Sequence, residues 1–563
     1  MLRRLLRSVR RRAGAPRLGA RNARGQQGPE AGTSRGRTAG RRPSSHSLPA
    51  ALDQVLARVR EEFGESAGLI TRSFTAGKDD RFQAALVYID GLADRETINE
   101  HILKATMFEA ELAANPPASA PLLDGIARRL VTASETQILY EWEALLEEVA
   151  AGNTALFIDG VPGALIVATP GWERRGVDEP VTEAVVRGPR EGFTETLRTN
   201  ETLLRRRIRS PRLRFRPIKA GTLTRTPISV AYIQGIADPK LVEEVCQRLE
   251  RIEIDAVLES GFLEEFIQDK PWSIFPQTLR TERPDVVAAN LLEGRVAVLT
   301  DNTPFALIVP VVFSQFLSSP EDYYERFPAG ALIRMLRVFA FVLSLTLPAF
   351  YVAITTYHQE LLPTDLILAL AASRQGVPFP AVIEALLMEV LFEILREAGI
   401  RLPRVVGQAV SIVGALVVGE AAVSAGLVSP AMVIVVAMTA IASFATPVFS
   451  FAIAIRMLRF VFMLSAAAIG LFGIQLVGLL VLLRAITLES FGVPYLAPLA
   501  PLSTADLKDS VVRAPVWAMR RRPTFLNPQD TERAPAASPT NPALLLDEGK
   551  TAKDRRRKGE RRR

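Results

Sequence analysis

The stretch DNTPFALIVP, residues 301–310, has an earlier counterpart in DGVPGALIV, residues 159–167. The two align without a gap at a spacing of 142 residues (301 minus 159), with Asp, Pro and Ala-Leu-Ile-Val in step. A second pair lies upstream. Tyr88, Ile89, Gly91, Ala93 and Asp94 match Tyr232, Ile233, Gly235, Ala237 and Asp238 at a spacing of 144 (232 minus 88). Self-similarity at a near-constant spacing marks duplicated structure, and the two-residue difference is a small loop indel.

Each copy reads as the same series of elements. A short apolar run, ALVYI or VAYI, predicts a buried strand. Asp94 or Asp238 then caps a helix, with Pro239 at the first helical position of the second copy. A further helical part stops near Gly152 or Gly294. The strands TALFI and ALIV, or VAVLT and FALIV, follow, joined by an Asp-x-x-Pro turn of hairpin type. This predicts two tandem α/β subdomains, over 48–186 and 219–318.

Composition sets what surrounds them. The chain has 563 residues, 48% apolar, with mean hydropathy +0.17 and formal charge +8. One cysteine, Cys246, excludes an internal disulfide, and three scattered histidines fit no zinc or triad spacing. Arginines dominate residues 1–47 and recur in KDRRRKGERRR at the end, so both tails (1–47 and 491–563) read as disordered, basic and close to anionic lipid. Without interleaved aromatic residues they do not read as nucleic-acid binders. The opening has no apolar signal core, which leaves the subdomains and both tails on the cytoplasmic side.

Apolar runs concentrate in 319–490, the expected α-helical transmembrane domain of four to five spans. Four spans fit 338–356, 405–428, 431–455 and 460–483, and 366–394 is a further crossing or a re-entrant segment. That count strands Arg456 and Arg459 on the outer side, against the positive-inside tendency. In 379–399, FPAVIEALLMEVLFEILREAG, Glu389, Glu393 and Glu397 share a helical stripe. The stripe faces either water at the interface or an ion path. The next span is thin, with Gly407, Ser411, Gly414 and Gly419, and carries Glu420. Small residues there serve close helix packing or a narrow pore ringed by Glu420. Thr446-Pro447 predicts a kink in the span that follows.

Between the copies, residues 187–218 read as an Arg-rich linker helix, either solvated or docking against another subunit. The subunit-contact candidates are Arg190, Glu191, Arg198, Asn200, Arg205, Arg206 and Arg207. RGPREG lacks the lysine and serine of a phosphate loop, and nothing else points to an enzyme or a cofactor.

RGPREGFTETLRTN followed by LLRRRIRSPRL resembles the signature of the A-subunit family of bacterial spore germination receptors, the GerA type. The segments 379–403 and 419–444 and the DNTPFALIVP hairpin are similar to the same family, over about residues 69–501. The resemblance implies a spore inner-membrane protein, working with a transporter-like B subunit and a lipoprotein C subunit. It further implies a homo-oligomer that passes monovalent cations when nutrient is sensed. The alternatives are a non-conducting signalling scaffold, or an accessory channel like the stage-V sporulation F protein branch.

Overall fold

The computed structural model describes residues 47–534 except 65, 67, 77–81, 109–122, 124–134, 172–179, 181–182, 184, 403–416 and 418. The N-terminal tail as far as residue 46, the C-terminal tail from 535, and Gly407, Ser411 and Gly414 lie outside those residues.

The duplication is visible in the sheets. Helix α1 (Leu52–Phe63) precedes strands β1 (Leu69–Ala76) and β2 (Phe82–Ile89). Strand β3 (Thr136–Leu139), helix α2 (Trp142–Ala150), and strands β4 (Thr154–Ile158) and β5 (Ala164–Val167) complete the first unit. Its sheet is antiparallel, in the order β1-β2-β4-β5-β3. The second unit comprises α3 (Leu197–Arg207), β6 (Leu213–Ala220), β7 (Thr226–Ile233), α4 (Pro239–Glu250), α5 (Ser260–Ile267), β8 (Leu279–Thr281), α6 (Pro284–Glu293), β9 (Val296–Thr300) and β10 (Ala306–Val309). Its order is β6-β7-β9-β10-β8, and even the register repeats: Thr154 faces Val167 as Val296 faces Val309.

The repeated aspartate holds each unit together across a long sequence distance. Asp159 Oδ1 accepts the first amide of α1, from Leu52, at 3.0 Å, and Asp301 Oδ1 accepts that of α3, from Leu197, at 3.0 Å. In return, the next turn residue donates its amide to the chain before the helix, Gly160 to Ala50 and Asn302 to Glu195. That turn residue has φ 80° at Gly160 and 69° at Asn302, the left-handed region that Gly and Asn tolerate best. The hairpin is thus a remote N-cap for a helix end that lacks a side-chain cap of its own.

This pairing corrects the reading of 187–218 as a linker. Helix α3 holds in the second unit the place that α1 holds in the first. Its Leu203 and Leu204 are buried with Phe215, Ala231, Leu291 and Leu299. Both strands of each central hairpin are buried throughout, because helices cover both sheet faces.

The second unit's core continues into the helical domain. Phe316 stacks on Phe451 at 5.1 Å, and Phe313 meets Phe451 edge-on at 5.5 Å and Tyr495 at 6.4 Å. A short turn, Phe313–Leu317, carries these rings and leads the chain towards the first long helix.

Helices α7 (Phe327–Thr356), α8 (Thr364–Arg374), α9 (Ala381–Arg401), α10 (Pro430–Phe444) and α11 (Phe449–Ile486) form the helical domain. Among the described residues, α7 and α11 are the helices long and apolar enough to cross a membrane. The expected spans 431–455 and 460–483 are divided differently. The break falls at 445–448, where Pro447 has no amide and disfavours helix at Thr446, so α11 runs unbroken past Arg456 and Arg459. Those arginines therefore lie inside a helix and not in a loop between spans.

Residues 491–534, expected as tail, fold back on the second unit. Phe313 donates its amide to the Tyr495 carbonyl at 2.7 Å, Arg522 Nε donates to the Leu292 carbonyl at 2.9 Å, and the Gln529 amide donates to the Ile236 carbonyl at 3.0 Å. Entry to and exit from the helical domain consequently share one side.

Candidate functional site

The acidic stripe of α9 meets the two arginines of α11. Glu389 Oε2 lies 2.6 Å from Arg459 Nη1, and each side chain is 1% exposed. One turn further along, Glu393 pairs with Arg456 at 3.2 Å and with Arg396 at 3.9 Å. Glu397 is exposed and pairs along its own helix with Arg401. A charge buried alone in an apolar domain costs several kcal/mol, so four-residue spacing on one helix matching three-residue spacing on the other is a strong docking constraint.

Arg459 has a second task. Pro348 inside α7 has no amide to give the carbonyl four residues earlier, that of Ser344. Arg459 Nε donates to that carbonyl at 2.8 Å. One guanidinium thereby ties α7, α9 and α11 together. Glu389 Oε1, Glu393 Oε1 and Arg459 Nη2 have no hydrogen-bond partner among the described residues.

Glu384 faces away from that stripe. Its Oε2 accepts the Ser429 amide at 2.9 Å, and its Oε1 lies 3.1 Å from Arg374 of α8. Ser429 is the N-cap of α10, so a buried carboxylate sits at the positive end of that helix. Gly419 packs towards Val433 of α10, while Glu420 is exposed on the surface of the domain.

Helix α11 is interrupted at Ile469–Gly470, where Gly470 takes φ 62°. The Tyr357 hydroxyl lies 2.9 Å from the carbonyls of both Ala467 and Ala468, which the interruption leaves without their usual amides. A Cβ on Gly470 would sit 2.6 Å from His358 Cε1. The sequence reading foresaw the Pro447 break and missed this one.

At the foot of α7, Arg334 Nε binds Asp322 at 2.9 Å and its Nη1 binds Asp509 at 2.7 Å. Arg337 Nη1 joins the same Asp322 at 3.0 Å. Arg334 and Arg337 are buried clamps between the helix, the segment that leads into it and the returning C-terminal segment.

The candidates of 187–218 are engaged within the chain. Arg206 and Arg207 grip Glu191 at 3.3 and 2.8 Å. Arg198 reaches Asp90 of the first unit at 2.8 Å, and Arg205 donates to Ser66 at 3.0 Å. Burial lowers the Arg205 pKa to about 10. Asn200 bonds both the amide and the carbonyl of Thr194, pinning the GPREGF turn, and Arg190 precedes Glu191 in that turn. Arg198 and Arg205 join the two units, while Arg206, Arg207 and Asn200 fold the segment onto itself.

The chain matches the family described as Bacillus/Clostridium GerA spore germination protein over residues 57–525. It belongs to that family. Spore germination protein KA of Bacillus subtilis (strain 168) is 49% identical over 482 residues, covering 86% of this chain and 88% of that protein. Spore germination protein GerLA of Bacillus cereus is 40% identical over 485 residues, covering 86% and 97%. Among solved structures, the N-terminal domain of the A subunit of the Bacillus megaterium spore germinant receptor GerK3 is 35% identical, covering 47% of this chain and 97% of that one, with a TM-score of 0.39. This GerA-family chain is a membrane protein whose helical domain is anchored by the second of its two α/β units.

Proposed function

We propose that this chain is the A subunit of a spore germination receptor in the spore inner membrane, assembling with copies of itself into a nutrient-gated cation channel. Transporter-like B and lipoprotein C subunits are its expected partners, and it has no enzymatic role. The observation that carries this reading is the exposed Glu420 on the outside of an apolar helical domain. At membrane depth a carboxylate needs water or a partner, and neighbouring copies can supply a hydrated ring. Exposed apolar side chains on α10 and α11, such as Ile441, Phe444 and Phe472, suit lipid or those neighbours. Entry and exit on one side support an even number of crossings, and in this reading both α/β units and the C-terminal segment face the cytoplasm.

A non-conducting scaffold is the second reading, favoured by the pairing of Glu389 and Glu393 with arginines, which removes them as free cation ligands. Potassium and sodium flux into liposomes carrying the purified chain separates the two. The channel reading expects an oligomer by native mass spectrometry, and flux that Glu420→Ala reduces without changing the assembly. An assembled but silent oligomer refutes it.

A further inference from the structure

The loop 268–278, between α5 and β8, grips the end of the helical domain. Lys270 Nζ donates to the Thr487 carbonyl at 2.7 Å, Asp269 accepts the Phe491 amide at 2.6 Å, and Ser490 Oγ donates to the Gln277 carbonyl at 2.8 Å. All three partners follow the last turn of α11. Phe275 of the same loop is buried, its ring centroid 6.4 Å from that of Phe451 in the first turn of α11. A straight helix of 38 residues is about 57 Å long, so one loop reaches both ends only because α11 folds back at Ile469–Gly470. A Cβ on Gly478 would accordingly lie 3.9 Å from Phe462, across the two limbs.

The fold-back fixes the depth of the loop. Phe451 stacks on Phe341 at 5.8 Å. Phe341 precedes Tyr357, at the far end of α7, by 16 residues (357 minus 341), about 24 Å along the helix. With α7 crossing a hydrocarbon core about 30 Å thick, Phe275 lies near its inner margin. Three residues away Trp272 is 98% exposed, and Ile274 is exposed close by. A ring of that size gains more by leaving water than most side chains do. At the end of α11 that Lys270 grips, Leu482, Leu483 and Ile486 are exposed, with Arg484 among them. Apolar side chains closed by a cation are the pattern of a helix end at a membrane surface, and this surface continues to the loop.

We propose that Trp272 inserts into the lipid headgroup layer on the α/β side of the membrane, giving the second unit a hold on lipid separate from its link to α7. Tryptophan favours that layer because its ring is apolar while its indole N–H still finds an acceptor. The exposed charges flanking Thr487, Arg484 and Glu489, offset each other, so the contact does not depend on lipid charge. The inference rests on α7 and α11 crossing the membrane and is independent of conduction.

The test reads Trp272 fluorescence in the full chain carrying Trp142→Phe, Trp172→Phe and Trp517→Phe, reconstituted into phosphatidylcholine vesicles. Lipids brominated close to the headgroup should quench most of the emission, and lipids brominated at the chain ends should quench little. Aqueous acrylamide should quench it far less than free tryptophan, and added phosphatidylglycerol should change none of this. If that variant does not fold, the difference between wild type and Trp272→Phe gives the same comparison. Leu479→Trp, in the same background with Trp272→Phe, reports the second limb of α11. Bromolipid quenching there with none at Trp272 overturns the proposal and leaves the membrane reading intact; no quenching at either position overturns both. Free access of acrylamide to Trp272 overturns the proposal, as does protection from both quenchers, the result expected if a second copy covers the ring.

Discussion

Arg459 donates to the backbone carbonyl of Ser344 at 2.8 Å, filling the vacancy that Pro348 opens one turn later in α7. The same guanidinium neutralises Glu389. Arg459→Met therefore strands a carboxylate and a carbonyl together, at a cost of about 3–5 kcal/mol. Adding Glu389→Leu should restore most of the loss, and Pro348→Ala, which supplies an amide to Ser344, should restore more. Thermal unfolding in detergent measures the series. Equal stability of Arg459→Met and wild type would show that the three helices do not depend on this residue.

The two hairpin aspartates predict matched effects. Asp159→Ala and Asp301→Ala each remove a remote N-cap, costing about 1 kcal/mol. Hydrogen exchange should quicken at the first turn of α1 in one variant and at the first turn of α3 in the other. Exchange that changes nowhere near those turns would separate the aspartates from helix capping.

Glu183 makes stability depend on pH. Burial raises its carboxyl from the ordinary 4.5 to about 7, although the Thr281 hydroxyl donates to it at 2.6 Å. Between those values the unfolded chain has released the proton and the folded chain keeps it. Stability therefore falls as pH rises through this window, by up to roughly 3 kcal/mol. Glu183→Gln should match wild type at pH 4 and exceed it above pH 7. A gap between the two that is constant with pH would contradict the assignment.

Gly470→Ala places a side chain at φ 62° and against His358. The left-handed conformation alone costs about 1–2 kcal/mol, and the contact adds to it. Tyr357→Phe should loosen the same interruption by releasing the Ala467 and Ala468 carbonyls. Both variants are expected to lower the melting temperature, with faster exchange near residues 467–471. If neither does, the interruption is not held by this contact.

Much of the α/β region was legible because its signals are local. Short apolar strands, Asp-x-x-Pro turns and helix caps are written within a few residues of one another, and their duplication repeats the message. The helical domain was less legible. Hydropathy treats Arg456 and Arg459 as the edge of a span, yet their carboxylate partners lie 63 and 70 residues earlier on α9. Their breach of the positive-inside tendency was the available clue. Helix α3 looked like a linker for a related reason: its arginines find Asp90, Ser66 and Glu191 only after the chain has folded. The Gly470 interruption gave no clue at all, since Tyr357 and His358 act on it from just beyond the end of α7.

Sequence alone determined the twin sheet-and-helix units and the presence of a long apolar region, because turn chemistry and short apolar runs act between near neighbours. Tertiary structure alone decided where the helices break, which charges lie inside them and how the C-terminal segment returns. Those choices turn on the cost of burying a charge or a backbone carbonyl, and that cost is met only by groups brought together from distant parts of the chain.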